Sequence, residues 1–121
     1  MTPELTALAR AYMALPGGPV RSEFAPELLV EDGNGHARFR DRDGILWATD
    51  LADRTAPWTP DLTDRANGGV LFATIAPGWL AYQREHDGRW EVSRPDGEHR
   101  QEGATLAEAV ARVAVAVGRA G

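Results

Sequence analysis

The sequence contains no cysteine and no lysine, and only two serines, Ser22 and Ser93. Without cysteine the chain forms no disulfide, thiolate metal site or cysteine nucleophile, which suits a cytoplasmic protein. Neither serine lies in the G-x-S-x-G turn that activates a serine nucleophile, so a serine hydrolase is disfavoured. No apolar run is long enough to cross a bilayer, and Met1–Leu5 lacks a basic or apolar leader, so we expect neither a membrane segment nor a signal peptide.

The composition is otherwise that of an ordinary globular protein. Hydrophobic residues make up 43% of the 121 residues and charged residues 26%, which predicts a single domain over residues 1–121. The 13 basic residues are all arginines, a bias typical of GC-rich bacterial genomes. The net charge of −5 weakens attraction to nucleic acid and favours a basic protein partner.

Apolar periodicity and end signals predict two helices. The first is expected from Pro3 to Leu15, with Thr2 as its N-cap. The second is expected from Leu106 to Val117, where residues 105–108 form a T-x-x-E capping box and Gly118 ends the helix.

Between the helices, Asp-Gly and Asn-Gly dipeptides mark hairpin turns between strand-like runs. The predicted strands cover residues 36–40, 45–51, 70–76, 79–84 and 89–94. The first two form a hairpin around Asp41-Arg42-Asp43-Gly44, and the last three form a meander. Residues 27–30 remain open between a strand and a helical turn. The fold class is therefore α+β: an N-terminal helix, a mainly antiparallel sheet of about five strands, and a C-terminal helix packed on the sheet.

The stretch 50–69 is predicted to be a long connection, which is typical of functional or mobile segments. It holds Trp58 between Pro57 and Pro60, which stiffen the backbone around the ring. A rigid exposed aromatic makes a good interface anchor, because little entropy is lost when it binds. Alternatively, the ring folds back as a lid on the sheet, and both interpretations remain open.

Arginines recur along the predicted meander and beyond it, at Arg84, Arg89, Arg94 and Arg100. Acidic residues are interspersed with them, and cross-strand charge pairing on a solvated face accounts for both sets. We retain Arg84 and Arg94, together with Trp58, as candidate partner-binding residues.

An alternative is a small-molecule pocket or enzyme site between sheet and helix. Its candidate residues are His36, His86, His99, Asp50 and Glu91. No two histidines have the spacing that places two imidazoles on one face, and Asp41-Arg42-Asp43-Gly44 has its glycine too early for a calcium loop. We therefore predict no catalytic residue, no cofactor and no metal.

The stretch from Trp79 to Val117, with Gly103-Ala104-Thr105-Leu106-Ala107-Glu108-Ala109 after a strand hairpin, resembles the G-x-T-L-x-E-A helix start of HicB-type antitoxins. The resemblance covers about a third of the chain. It implies a β-β-β-α module that binds a small RNase toxin. The preceding helix and hairpin depart from the family pattern, and the chain has no DNA-binding segment.

The favoured interpretation is a small non-enzymatic bacterial protein that binds another protein, of the antitoxin, immunity, secretion-chaperone or phage-accessory kind. The alternatives are the small-molecule or enzyme pocket and a nucleic-acid-binding module that uses the meander arginines. An exposed edge strand leaves a homodimer open.

Overall fold

The computed structural model describes residues 1–22, 30–31, 36–50, 57–75 and 77–121, with the backbone alone at residues 30, 31, 36 and 50. These residues form three helices and seven strands. The elements in chain order are α1 (Pro3–Met13), β1 (Val30–Glu31), β2 (His36–Arg40), β3 (Leu46–Asp50), β4 (Thr59–Pro60), α2 (Arg65–Thr74), β5 (Leu80–Gln83), β6 (Trp90–Ser93), β7 (Gln101–Gly103) and α3 (Leu106–Val117). No helix within these ranges is both long and apolar enough to cross a bilayer.

The strands form two antiparallel sheets, with the orders β1-β2-β3-β4 and β5-β6-β7. The α+β class is confirmed, but the single sheet of about five strands is wrong. The β2–β3 hairpin around Asp41–Gly44 is confirmed, with Phe39 paired to Trp47 in its register. Of the undecided residues 27–30, only Val30 lies in the described part, in β1.

The predicted strand 70–76 is wrong, because residues 70–74 belong to α2 and residue 76 lies outside the described part. The N-cap of α2 is Asp64, whose carboxylate accepts from the Asn67 N–H at 3.0 Å. Asn67, Gly68 and Leu71 are buried with helical spacing. The prediction that Asn-Gly dipeptides mark hairpin turns is therefore also wrong at Asn67-Gly68, which lies within α2. An apolar run with no polar face does not distinguish a buried strand from a buried helix.

The long connection predicted over 50–69 also contains regular structure. Residues 51–56 lie outside the described part, but Thr59–Pro60 pair with β3, and α2 begins at Arg65. Conversely, Gln101–Gly103 form a third strand beside β6 that the sequence did not predict. The meander therefore runs β5-β6-β7, and α2 replaces its expected first strand.

The two predicted helices are confirmed with their N-caps. The Thr2 hydroxyl accepts from the Leu5 N–H at 3.2 Å, and α1 ends at Met13, two residues early. The Thr105 hydroxyl accepts from the Glu108 N–H at 3.1 Å and donates to the Leu62 carbonyl. The Glu108 carboxylate instead accepts from Arg112 Nε at 3.0 Å, so only the Thr105 half of the capping box forms among the described residues.

Helix α3 contacts α1, α2, β6 and β7. A Cβ on Gly68 would lie 2.7 Å from Leu106 Cβ, so α2 approaches α3 more closely than a larger residue allows. A Cβ on Gly103 would lie 2.6 Å from the Ala109 nitrogen, so β7 is equally close to α3. The buried residues of α3 are Ala107, Glu108, Ala109, Val110, Ala111, Val113 and Ala114. All of them except Glu108 belong to one buried hydrophobic cluster that also includes residues of both sheets.

Candidate functional site

One edge of the β5–β7 sheet has unpaired backbone groups. The Arg84 N–H donates to the Arg89 carbonyl at 2.9 Å, so the N–H of Arg84 points toward β6. The direction of the backbone N–H and C=O groups alternates from residue to residue along an antiparallel strand. Those of Leu80 and Tyr82 therefore also point toward β6, whereas those of Ala81 and Gln83 point away from it. No described residue bonds to the backbone N–H or C=O of Ala81 or Gln83. Among the described residues, the outer side of β5 is therefore open.

The same strand exposes two large apolar side chains. Leu80 is 55% exposed and Tyr82 57% exposed, and their spacing of two residues places them on one face. That face is opposite the one that carries Val92, which is buried among the core residues. Among the described elements, β5 packs chiefly against β6. β5 thus combines an open backbone edge with an apolar patch.

A charge network on the same face holds Arg84. Its guanidinium binds Asp87 at 2.6 Å, Glu102 at 2.8 Å and Glu91 at 3.2 Å. The Arg89 N–H, aided by Arg84, holds the pKa of Asp87 below its ordinary value of 3.8. The cross-strand charge pairing predicted for the meander is present, and Arg84 is engaged within its own sheet.

Arg94 lies at the other end of the β5–β6 hairpin and on the opposite face. Its guanidinium carbon sits 4.5 Å from the centre of the Trp79 ring, in a cation–π contact. The His99 ring meets the same indole edge-on at 6.2 Å. No described carboxylate pairs with Arg94. The structure therefore does not bring Arg84 and Arg94 together.

Trp58 lies against the other sheet. Its half-buried ring meets Phe39 edge-to-face, with centroids 4.8 Å apart and planes at 81°. The Arg21 guanidinium lies over both rings, 5.6 Å from the centre of Phe39 and 5.8 Å from that of Trp58. Of the two interpretations left open, this geometry is that of the lid on the sheet.

Trp58→Ala is expected to lower the free energy of unfolding by about 2–3 kcal/mol, because it removes a partly buried indole from Phe39. Trp58→Phe, which retains a ring, should cost about 1 kcal/mol. Urea denaturation followed by circular dichroism measures both. A loss below about 0.5 kcal/mol for the alanine variant would instead indicate a ring that is free to act as an exposed anchor.

The residues of the pocket hypothesis do not converge in the described part of the chain. His86 and His99 lie in the turns at opposite ends of β6, while the side chains of His36 and Asp50 are outside the described part. No group of three or more His, Asp or Glu side chains within the described ranges is arranged to hold a metal ion. Glu91 is bound to Arg84.

A small cleft lies between the sheet and the start of α3. Its volume is about 210 Å³, below the roughly 300 Å³ typical of small-molecule sites. Arg65 is the one charged residue that lines it, beside Gln83, Trp90 and Thr105. It contains no carboxylate or imidazole that could transfer a proton.

Comparisons of the chain with protein-family models, curated proteins and solved structures gave no match. The order β5-β6-β7-α3 is that of the β-β-β-α module implied by the resemblance in residues 79–117.

Sequence reasoning missed the open edge because it gave β5 a neighbour on both sides. In the predicted meander, residues 79–84 lay between the strands 70–76 and 89–94, so their edges were covered. Because residues 70–74 form part of α2, one neighbour is gone and β5 becomes an edge strand. The signal in the sequence for an exposed apolar patch on this strand is the spacing of two residues between Leu80 and Tyr82, which places both side chains on one face.

Proposed function

We propose that this protein is a non-catalytic protein-binding module that accepts an extended segment of a partner protein as an added strand along β5. The observation that carries the proposal is the open edge of β5, with two unpaired N–H and two unpaired C=O groups at Ala81 and Gln83. An added strand bonds to such groups through its own backbone, and side-chain contacts on one face then provide selectivity.

The lack of edge protection on β5 supports this proposal. Natural sheets block unwanted strand pairing with proline, with charges on the edge strand, or with very short edge strands. β4 is two residues long and contains Pro60, and β7 contains Glu102. β5 is four residues long, Leu80-Ala81-Tyr82-Gln83, with neither a charge nor a proline. An unprotected edge is a liability unless a partner covers it.

The side chains indicate the chemistry of the partner. Alternate apolar residues of an added strand would cover Leu80 and Tyr82. Glu85, just after β5, is exposed and has no ion-pair partner in the described part of the chain, so a basic residue of the partner fits beside it. The net charge of −5 would attract a basic partner at long range. We therefore propose a binding module of the antitoxin, immunity, secretion-chaperone or phage-accessory kind, acting in a bacterial cytoplasm.

Selection from a displayed library of linear peptides on the immobilised protein tests the proposal. We expect enriched peptides with apolar residues at alternating positions and at least one Arg or Lys. The double variant Leu80→Ser/Tyr82→Ser should bind an enriched peptide at least about tenfold more weakly, since two apolar cross-strand contacts are lost.

The control variant Val20→Ser/Val115→Ser removes two exposed apolar side chains elsewhere, and its affinity should equal that of the wild type. Both variants should unfold at the wild-type temperature because all four side chains are exposed. Equal peptide affinity for the two variants would show that β5 is not the binding surface.

A further inference from the structure

We infer that a second copy of this chain can occupy the same edge, so that two β5 strands pair antiparallel about a two-fold axis at Tyr82. The inference rests on the proposed function, because it names a partner for the surface proposed there. It predicts a continuous six-stranded sheet across a homodimer. Binding of a foreign strand and self-association would then exclude each other.

The direction of the backbone groups determines which registers are allowed. Only Ala81 and Gln83 present N–H and C=O groups outward within β5, so these residues must form the hydrogen-bonded pairs of the new ladder. A two-fold axis at Tyr82 pairs Ala81 with Gln83 of the second copy, and Gln83 with Ala81 of the second copy. All the outward backbone groups of β5 are then satisfied by an identical strand.

The same register covers the apolar patch. Tyr82 lies directly opposite Tyr82 of the second copy in a non-hydrogen-bonded pair, in which side chains approach most closely. Leu80 lies opposite Arg84 of the second copy, whose aliphatic stem can cover it while the guanidinium stays with Asp87 and Glu102. The two most exposed apolar residues of the sheet are therefore both covered, Tyr82 by Tyr82 and Leu80 by Arg84 of the second copy.

Charge complementarity favours a second copy as the occupant. In this register Glu85 comes opposite Trp79 of the second copy, and the Arg94 guanidinium lies 4.5 Å from the centre of that indole ring. Within the described residues, Glu85 and Arg94 have no ion-pair partner of their own. The two-fold axis generates this carboxylate–guanidinium contact twice. Two chains of net charge −5 would otherwise repel each other, and these contacts offset that repulsion locally.

A single introduced cysteine tests the register, because the natural chain has none to interfere. Residues opposite each other in a non-hydrogen-bonded pair have Cα atoms about 4.5 Å apart, within the range of about 4.4–6.8 Å that a disulfide spans. Under mild oxidation, Tyr82→Cys should form a covalent dimer within minutes. Val115→Cys, which is exposed on α3, should remain largely monomeric and serves as the matched control.

A charge exchange tests the ion pairs. Sedimentation of the wild type over a concentration series should show a monomer–dimer equilibrium. Glu85→Arg alone and Arg94→Glu alone should each weaken the dimer about tenfold, because each places like charges side by side. The double variant Glu85→Arg/Arg94→Glu should restore the dimer to within about threefold of the wild-type affinity.

Each outcome decides one of the two proposals. A wild type that stays monomeric at all concentrations overturns the homodimer, while peptide binding that Leu80→Ser/Tyr82→Ser abolishes still supports strand addition. A dimer that neither crosslinks through Tyr82→Cys nor responds to the charge exchange uses another surface, which also overturns the inference. Failure of both peptide binding and self-association removes β5 as a binding surface.

Discussion

Replacing Asn67 by aspartate is expected to destabilise the protein by about 3–5 kcal/mol, although the two side chains have the same shape. Asn67 is fully buried, and its side-chain amide joins α2 to the first residue of β3. Its Nδ2 donates to the carbonyls of Leu46 and Asp61, both at 2.9 Å, and its Oδ1 accepts from the Leu46 N–H at 2.7 Å. The side chain thus pairs with both backbone groups of Leu46, as a neighbouring strand would.

An aspartate cannot make these contacts. It would place a carboxylate oxygen against two carbonyl oxygens, so the group must either remain charged and repelled or bind a proton in the core. Asn67→Ala should cost less, about 2–3 kcal/mol, because it removes the hydrogen bonds without adding a charge.

Urea denaturation at neutral pH measures the free energies of unfolding of both Asn67 variants. The matched control is Gln83→Glu, the same amide-to-carboxylate change at an exposed position, which should cost less than about 1 kcal/mol. An Asn67→Asp variant within 1 kcal/mol of the wild type would show that this amide does not hold α2 to β3.

Replacing Asp41 by alanine should cost about 3–4 kcal/mol at neutral pH, because four donors lose their acceptor. The side chain is 5% exposed, in the turn of the β2–β3 hairpin. It accepts from Trp47 Nε1 at 2.7 Å and from the backbone N–H groups of Asp43 at 2.9 Å, Ile45 at 3.0 Å and Ser22 at 3.1 Å. One carboxylate therefore closes the hairpin, satisfies a buried indole and ties residue 22 to the sheet.

The pKa of Asp41 gives this prediction a pH dependence. Burial alone would raise the pKa, but the four hydrogen bonds outweigh it, with Trp47 contributing most, and hold the pKa below its ordinary value of 3.8. Since the folded-state pKa is the lower one, the contribution of Asp41 to stability is fully present above pH 3.8 and is lost as the pH falls through the folded-state value.

The stability difference between the wild type and Asp41→Ala should therefore be constant from about pH 5 to pH 8 and should shrink below pH 4. Denaturation curves across this range measure it. Asp43→Ala, an exposed acid in the same turn, should change stability by less than about 0.5 kcal/mol. A difference that stays constant down to pH 2 would show that the carboxylate charge is not what the four donors bind.

Local signals in the sequence were sufficient for the elements whose ends they define. Thr2 and Thr105 locate the starts of α1 and α3, Gly118 ends α3 with a φ of +88°, and Asp41–Gly44 define the turn of the first hairpin. Helix caps and hairpin turns depend on hydrogen bonds and backbone angles within a few consecutive residues. A short sequence pattern is therefore enough to predict them.

The failures involve contacts between distant segments. α2 begins at Arg65, with Asp64 as its N-cap, but its apolar run matches a buried strand equally well. What stabilises the helix there is the close approach of Gly68 to Leu106 and the bonds of Asn67 to Leu46, which join segments 38 and 21 positions apart. The period of the side chains gives no sign of either contact.

The candidate site also could not be predicted from the sequence, because it too depends on contacts between distant segments. The sequence predicted strand 79–84 and its apolar residues, but its exposure depends on whether residues 70–76 lie beside it. The sequence shows the charges of Arg84 and Arg94, but the surroundings of both side chains depend on the register of β5, β6 and β7. The sequence fits both interpretations of Trp58, because it does not show whether Phe39 lies beneath the indole ring.

Amide hydrogen exchange at Ala81 and Gln83 tests most directly whether β5 is an open edge that binds a strand. In dilute protein both amides should exchange rapidly, whereas the Tyr82 amide, which bonds to β6, should be protected. Addition of a selected peptide should slow the exchange of Ala81 and Gln83 and leave that of Tyr82 unchanged. If peptide binds while the Ala81 and Gln83 amides keep exchanging at their free rate, the strand-addition account is contradicted.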